Sequence, residues 1–139
     1  MSEFRPVYDT SRLRKIAPTL IPGRGRGVIA VAPIAAGEMI DEACTLVLSE
    51  TQCAAIEKTP AGDHYFMHPN DETAGLLVLG LLSLCNHDED NNTATSYYFD
   101  DDLGWIVILV ALRDIHPGEE ATRRYACPPW FEVQPNANT

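Results

Sequence analysis

Three short segments of this 139-residue chain carry side chains suited to binding and catalysis. The first is Gly25-Arg26-Gly27, preceded by Gly23-Arg24, so three glycines fall within five residues. Such a turn lets backbone N–H groups approach an anion or a cofactor closely. It is not a phosphate loop, because no Gly-Lys-Ser/Thr follows, and it lacks the long helix and downstream acid of a dinucleotide fingerprint. The second segment, Leu84-Cys85-Asn86-His87-Asp88-Glu89-Asp90-Asn91-Asn92, ends a long apolar run in a stretch dense with hydrogen-bonding groups. Asn86 and His87 stand at the rim of a core, where they can fix a polar ligand. The third runs from Asp114 to Tyr125 and is a tight turn leading into a short strand. A tyrosine hydroxyl at the end of that strand can orient an amine at a reaction centre. Taken singly, each segment also fits a structural role: a bare turn, a solvated loop with Asn86 as a cap, a packed tyrosine.

Metal chemistry has little support. His87 has acids beside it, but His64, His68 and His116 stand at no ligand spacing. The cysteines Cys44, Cys53, Cys85 and Cys127 form no Cys-x-x-Cys pair, so free thiols are expected and no metal site is.

The elements that must position these segments are short. Ile16–Leu20 leads into the glycine turn, and Val28–Val31 is a strand. Pro33–Glu38 is a turn with Gly37 as its positive-φ residue. Met39–Glu42 and Thr45–Leu48 are two more strands. Residues 50–58 form one or two helical turns, ended by Pro60 and Gly62. Tyr65-Phe66-Met67 is an aromatic strand. Thr73–Leu84 is readable as helix or buried strand, and its length favours helix despite Gly75 and Gly80. Thr93–Phe99 and Trp105–Leu112 flank a hairpin turn at Asp100-Asp101-Asp102 and Gly104. A turn at Asp114–Glu119 precedes a strand at Ala121–Tyr125. Seven or eight short strands without strand–helix–strand alternation predict a compact, mostly β domain and not a Rossmann sheet.

Twenty acids against ten bases give a net charge of -10, unevenly spread. Residues 1–30 hold six bases and two acids, whereas residues 31–139 hold four bases and eighteen acids. An acidic body is poorly suited to neutralising phosphates, which argues against direct nucleic-acid binding. It suits a basic partner, or it serves solubility alone. The apolar run Ala74–Cys85 is too short to span a bilayer, so no membrane role is expected. No export signal is recognisable in the first twenty residues, and a cytoplasmic location is the expectation.

Together the three segments resemble the SET domain in order and spacing. GRGRGVIAVAPIAAGEMI resembles the family's opening motif: Gly-x-Gly, a short strand and a turn ending in Gly-Glu. LCNHDEDNN resembles its Asn-His-Ser-Cys-x-Pro-Asn motif, and RDIHPGEEATRRY resembles its closing Gly-Glu-Glu-Leu-Thr before a catalytic tyrosine. The resemblance covers residues 15–131, with residues 1–14 as a polar leader and 132–139 as a flexible tail. It is to the minimal viral and bacterial type. It implies a fold of small sheets with one short helical segment and a pseudoknot-like C-terminal crossing. It also implies a protein-lysine N-methyltransferase that uses S-adenosyl-L-methionine and releases S-adenosyl-L-homocysteine. The substrate would be a lysine-containing basic protein, histone or histone-like. The setting would be the bacterial cytoplasm, or a host cell for a viral or unconventionally exported protein. A homodimer is compatible with the family.

The site residues carried by the resemblance are these. Gly25 and Gly27, with Arg24 and Arg26 beside them, would lie against the methionine part of the cofactor. Asn86 would hold its amino-acid end, and the backbone of His87 its adenine. Tyr125 would be catalytic, next to the cofactor, with Tyr65 as a second channel tyrosine. Trp130 would pack over the adenine or the lysine channel. The chain departs from the family at Asp88-Glu89, where Ser-Cys is usual, and at Asn91-Asn92 for Pro-Asn. Arg123 replaces a tyrosine often found two residues before the catalytic one, and Ala126 replaces a glycine. No Cys-x-Cys zinc motif surrounds Cys127. The alternative these departures raise is a catalytically inactive module that binds cofactor or peptide.

Overall fold

The computed structural model describes residues 14–125. Nearly all of the leader, the C-terminal tail, Cys127 and Trp130 therefore lie outside the described residues. Short β-branched and apolar runs cut by Gly and Pro turns produce nine strands among the described residues. With 51% strand against 13% helix, the fold is mostly β.

β1 (Ile16–Ile21) and β2 (Gly25–Ala30) form a hairpin, in register from Ile16↔Ala30 to Ile21↔Gly25. A five-stranded antiparallel sheet follows in the order β4-β5-β3-β8-β7. Its strands are β3 (Met39–Leu48), β4 (Tyr65–His68), β5 (Asp71–Val78), β7 (Thr93–Asp100) and β8 (Gly104–Ala111). β6 (Asn86–His87) and β9 (Thr122–Arg123) make a separate two-residue parallel pair, Asn86↔Thr122 and His87↔Arg123. Through this pair the last described strand returns to the middle of the chain, in the place of the expected C-terminal crossing.

Three expectations change in detail. The two strands expected at 39–48 are one. β3 serves β8 with its first half, to Cys44↔Ile106, and β5 with its second, from Thr45↔Val78. The segment Thr73–Leu84 is not a helix. β5 covers its first part, and a short 3-10 turn, Leu81–Leu84, its second. Its continuous hydrophobicity comes from lying between β4 and β3, with Leu76 fully buried. The glycines that lowered helix propensity serve close packing here. A Cβ on Gly75 would come within 2.7 Å of the Tyr65 ring, and one on Gly80 within 2.7 Å of Ala43 Cβ. The expected strand Ala121–Tyr125 is shorter, only β9. The expected helix forms as α1 (Glu50–Ile56), started by a capping box in which Ser49 and Gln52 bond each other's backbone.

The two Gly-Glu turns are near copies. Gly37 and Gly118 have φ of 84° and 91°, a region costly for other residues. Gly37 N–H donates to Ala111 O while Ala111 N–H donates to Glu38 O, at 2.8 and 2.9 Å. Gly118 and Glu119 repeat the pattern with Ala30, at 2.8 and 2.9 Å. Ile34 and Ile115 then bond each other's backbones across the two turns, at 3.0 and 2.9 Å, and both are buried. This pairing pins the segment leading to β9 onto β2, and so brings the glycine turn to the residues that follow Gly118.

Candidate active site

The glycine turn, β6 and the residues around β9 meet at one buried ion cluster. Arg24 Nη2 bonds Asp88 Oδ2 at 3.0 Å, and its Nη1 bonds Glu120 Oε1 at 3.3 Å. Nη1 also lies 3.5 Å from the His87 carbonyl oxygen. The Arg24 and Glu120 side chains are 5% and 8% exposed, so this pair belongs to the interior and not to the surface. Asn86 Nδ2 donates to Glu120 Oε2 at 2.7 Å and to Arg26 O at 3.2 Å. Both partners are acceptors, which fixes the amide orientation and leaves Oδ1 facing no donor among the described residues. Gly27 is required by this approach. A Cβ there would stand 2.6 Å from Asn86 Nδ2 and 2.9 Å from Glu120 Oε2.

Asn92 ties the same elements from below. Its Nδ2 donates to Glu120 O at 2.8 Å, and its Oδ1 accepts from Thr122 N–H at 2.9 Å. Asn92 is 3% exposed, so these bonds satisfy groups that water does not reach.

Tyr125 follows directly from β9. Its N–H donates to His87 Nδ1 at 2.9 Å. That nitrogen must therefore be an acceptor, and the proton of the neutral ring sits on Nε2, 3.1 Å from Glu89 Oε1. The His87 and Tyr125 rings meet edge to face, with centroids 5.0 Å apart. Arg123, on β9, lies with its guanidinium 3.7 Å from the Phe66 ring centroid and 4.4 Å from that of Tyr125. Burial pulls its pKa below the ordinary guanidinium value, opposed by its interactions with Tyr125, Cys85 and Tyr97. Beneath it, burial pushes the Cys85 thiol up to about 12, so this cysteine is an inert core group.

The expected site residues are thus largely brought together: Arg24, Gly25, Arg26, Gly27, Asn86, His87 and Tyr125 share one region. Tyr65 is placed differently. Its hydroxyl donates to Glu57 Oε1 at 2.5 Å, and its ring covers Gly75 on the α1 side. Successive residues of a strand point to opposite faces, and it is Phe66 that reaches Arg123 and hence the Tyr125 cluster. Trp130 lies outside the described residues. Glu120 was not singled out from sequence. It reads there as a second acid after a Gly-Glu turn, and its one signal is that it follows Glu119 just before the buried strand. Among the described residues no group of three His, Cys, Asp or Glu side chains is placed to hold a metal.

The arrangement suits a ligand with a positive charge. Formally, one guanidinium faces two carboxylates. Asn86 Oδ1 and the backbone of the glycine turn offer further acceptors. A pyrophosphate would meet Asp88 and Glu120, whereas an ammonium or a sulfonium is favoured there. The parallel register also turns the N–H and C=O of His87 away from β9, because Asp88 N–H takes the Arg123 carbonyl at 3.0 Å. The C=O already faces Arg24 Nη1 at 3.5 Å, and the N–H is the group of this edge that could pair with a flat heterocycle. These features fit S-adenosylmethionine.

A family model for the SET domain matches residues 25–126. Among solved structures, a candidate histone methyltransferase from Plasmodium falciparum superposes with a TM-score of 0.68 at 20% identity, covering 86% of this chain and 99% of that one. A humanized mutant of the Chaetomium thermophilum Polycomb Repressive Complex 2, bound to the inhibitor GSK126, gives 0.66 at 18% identity. That match covers 84% of this chain but 15% of the other. A second Chaetomium thermophilum Polycomb Repressive Complex 2 structure, bound to GSK126, gives 0.63 at 21% identity over 80% of this chain and 15% of that one. No match was found among curated protein sequences. At these identities the structural likeness speaks for the fold. The family match spans the glycine turn, the Asn-His segment and the closing tyrosine, and on that ground the chain belongs to the SET-domain family.

Proposed function

We propose that the protein is an S-adenosylmethionine-dependent protein-lysine N-methyltransferase. The observation that carries this reading is the junction of Tyr125 with the Asn86-His87 pair: a 2.9 Å bond from the Tyr125 N–H to His87, beside a cluster suited to a cationic cofactor. Family membership and the candidate histone methyltransferase among its fold neighbours support it.

When bound, the cofactor supplies an electrophilic methyl group on a sulfonium. The chain's own residues supply position and environment. Asn86, Arg26 O and the glycine-turn backbone hold the amino-acid end, and the His87 edge holds the adenine. Tyr125 aligns the lysine amine for in-line approach, where orientation contributes a large share of the rate. A lysine amine would react there only in its neutral form, with its lone pair free for the methyl group that the bound cofactor would supply. The proton is lost to water before attack, a loss favoured by desolvation. The decisive experiment is mass spectrometry of basic proteins incubated with isotopically labelled S-adenosylmethionine. Absence of label from every lysine, with the cofactor bound, supports the inactive-module alternative instead.

Two further outcomes are expected. Asn86→Ala should weaken S-adenosylmethionine binding by about 1–3 kcal/mol, because it leaves Glu120 and the ligand without their shared amide. Isothermal titration calorimetry reads this directly, and unchanged affinity removes Asn86 from the cofactor site. For the substrate, the acidic body of residues 31–139 predicts a Michaelis constant that rises with ionic strength. A salt-independent constant removes the electrostatic argument for a basic partner.

A further inference from the structure

Arg123 carries a guanidinium into the interior, with the residue only 6% exposed. Among the described residues no carboxylate pairs with it, no hydrogen bond uses its side chain, and its Nε is buried without a partner. A buried charge of this kind is ordinarily paired or avoided. What it has instead is two aromatic faces, Phe66 at 3.7 Å and Tyr125 at 4.4 Å. A planar guanidinium is the cation best suited to such stacking, and it stays protonated where a lysine gives up its proton.

We propose that Arg123 is a positioning residue for methyl transfer: its guanidinium clamps the Tyr125 ring over Phe66 and keeps a fixed positive charge beside the reacting amine. This rests on the methyltransferase reading given above. The clamp works together with His87, which holds the Tyr125 backbone from the other side. The fixed charge acts on the substrate, because a like charge nearby disfavours the ammonium form and so favours the nucleophilic amine. The other groups facing Arg123 are the Cys85 thiol below β6 and the Tyr97 phenol on β7. Asp41 and Glu120 are within electrostatic reach of Cys85, and His87 faces Tyr125 edge-on with Glu89 and then Arg124 beyond it. None of these carboxylates forms an ion pair with Arg123, so among the described residues no acid cancels its charge.

The test uses the parent chain, Arg123→Met, Arg123→Lys and Phe66→Leu. The first measurement needs no activity: NMR of chains with carbon-13-labelled tyrosine rings, with the Tyr125 signals identified by their loss in Tyr125→Phe. Arg123→Met should shift the Tyr125 ring signals and average its two edges. Phe66→Leu, which keeps the arginine, should move them the same way by less, and it carries the test if Arg123→Met does not fold. Unchanged Tyr125 signals in these variants overturn the clamp. The second measurement is kcat and KM against pH for methyl transfer to core histones. In Arg123→Met the acid limb of kcat should move to higher pH by about one unit, and KM at neutral pH should fall as the ammonium form is admitted. Arg123→Lys puts an unpaired amine in the same buried place, where it gives up its proton, so the limb should move the same way. A limb that stays in place in Arg123→Met overturns the role in the reaction. If the parent methylates neither core histones nor any other basic protein, it is the methyltransferase reading that fails. The tyrosine signals then decide the clamp by themselves.

Discussion

Tyr125→Phe should lower kcat by roughly 10²–10³-fold, while the melting temperature and the affinity for S-adenosylmethionine change little. The substitution deletes one oxygen and leaves the ring. The ring keeps its contacts, edge-on to His87 at 5.0 Å and stacked on Arg123 at 4.4 Å. The backbone bond to His87 Nδ1 is also untouched, because it uses the Tyr125 N–H. No cavity opens, so the large-to-small penalties of core truncation do not apply. In the proposed role the hydroxyl acts on the reacting amine mainly in the transition state, and its loss would lower kcat more than it changes KM. A tyrosine present only for packing gives nearly normal turnover as phenylalanine. Steady-state kinetics, thermal melting and cofactor calorimetry on both proteins separate the cases. A fall in turnover matched by a fall in melting temperature points to packing and sinks the catalytic role.

The parts of this site that were legible in sequence are those whose geometry needs a particular residue type. Gly37 and Gly118 announce their turns because few other residues adopt φ near 84° or 91°. The Asp-rich turn with Gly104 announces the β7–β8 hairpin for the same reason. Gly-x-Gly was legible as a place of close approach, though not what approaches: the Asn86 amide and the Glu120 carboxylate, 60 and more residues away in order. The reading failed where partners decide. The run from Thr73 to Leu84 has the length of a helix, but β3 and β4 on its two edges make its first part a strand. β6 and β9 are two residues each and have no periodicity to read. Tyr65 and Phe66 are neighbours in an aromatic strand, and only the register, Phe66↔Leu76, shows which of them faces the β9 side. Asp88 looked like a loss of the family's serine. In the fold it supplies a carboxylate to Arg24, so the departure and the arginine form one unit.

That unit sets the largest expected effect on stability. Arg24→Met should destabilise the protein by about 3–5 kcal/mol, because it removes the cation from a buried group and leaves two carboxylates facing each other. Glu120 is 8% exposed and Asp88 16%, so water can replace the lost guanidinium only in part. Against a total stability of about 5–15 kcal/mol for a domain, such a loss is a large fraction. It should appear as a fall in melting temperature on the order of 10 °C. A surface ion pair such as Lys15–Glu38, 2.9 Å apart but with its lysine 40% exposed, sets the contrast: Lys15→Met should cost less than about 1 kcal/mol. Each acid keeps a second partner on its other oxygen: Asn86 Nδ2 on Glu120 Oε2 and the Asp90 N–H on Asp88 Oδ1, at 2.7 and 2.9 Å. Without Arg24 the freed oxygens are Asp88 Oδ2 and Glu120 Oε1, and neutralising Asp88 removes one of the two facing charges. The double variant Arg24→Met with Asp88→Asn should therefore regain part of the loss, leaving Glu120 on Asn86 alone. Thermal and urea unfolding of the single variants and the double variant measure the coupling. If the double variant is as unstable as the sum of the singles, the ion cluster is not what joins the glycine turn to β6 and β9, and the hydrogen bonds of Asn86 and Asn92 must hold that junction instead.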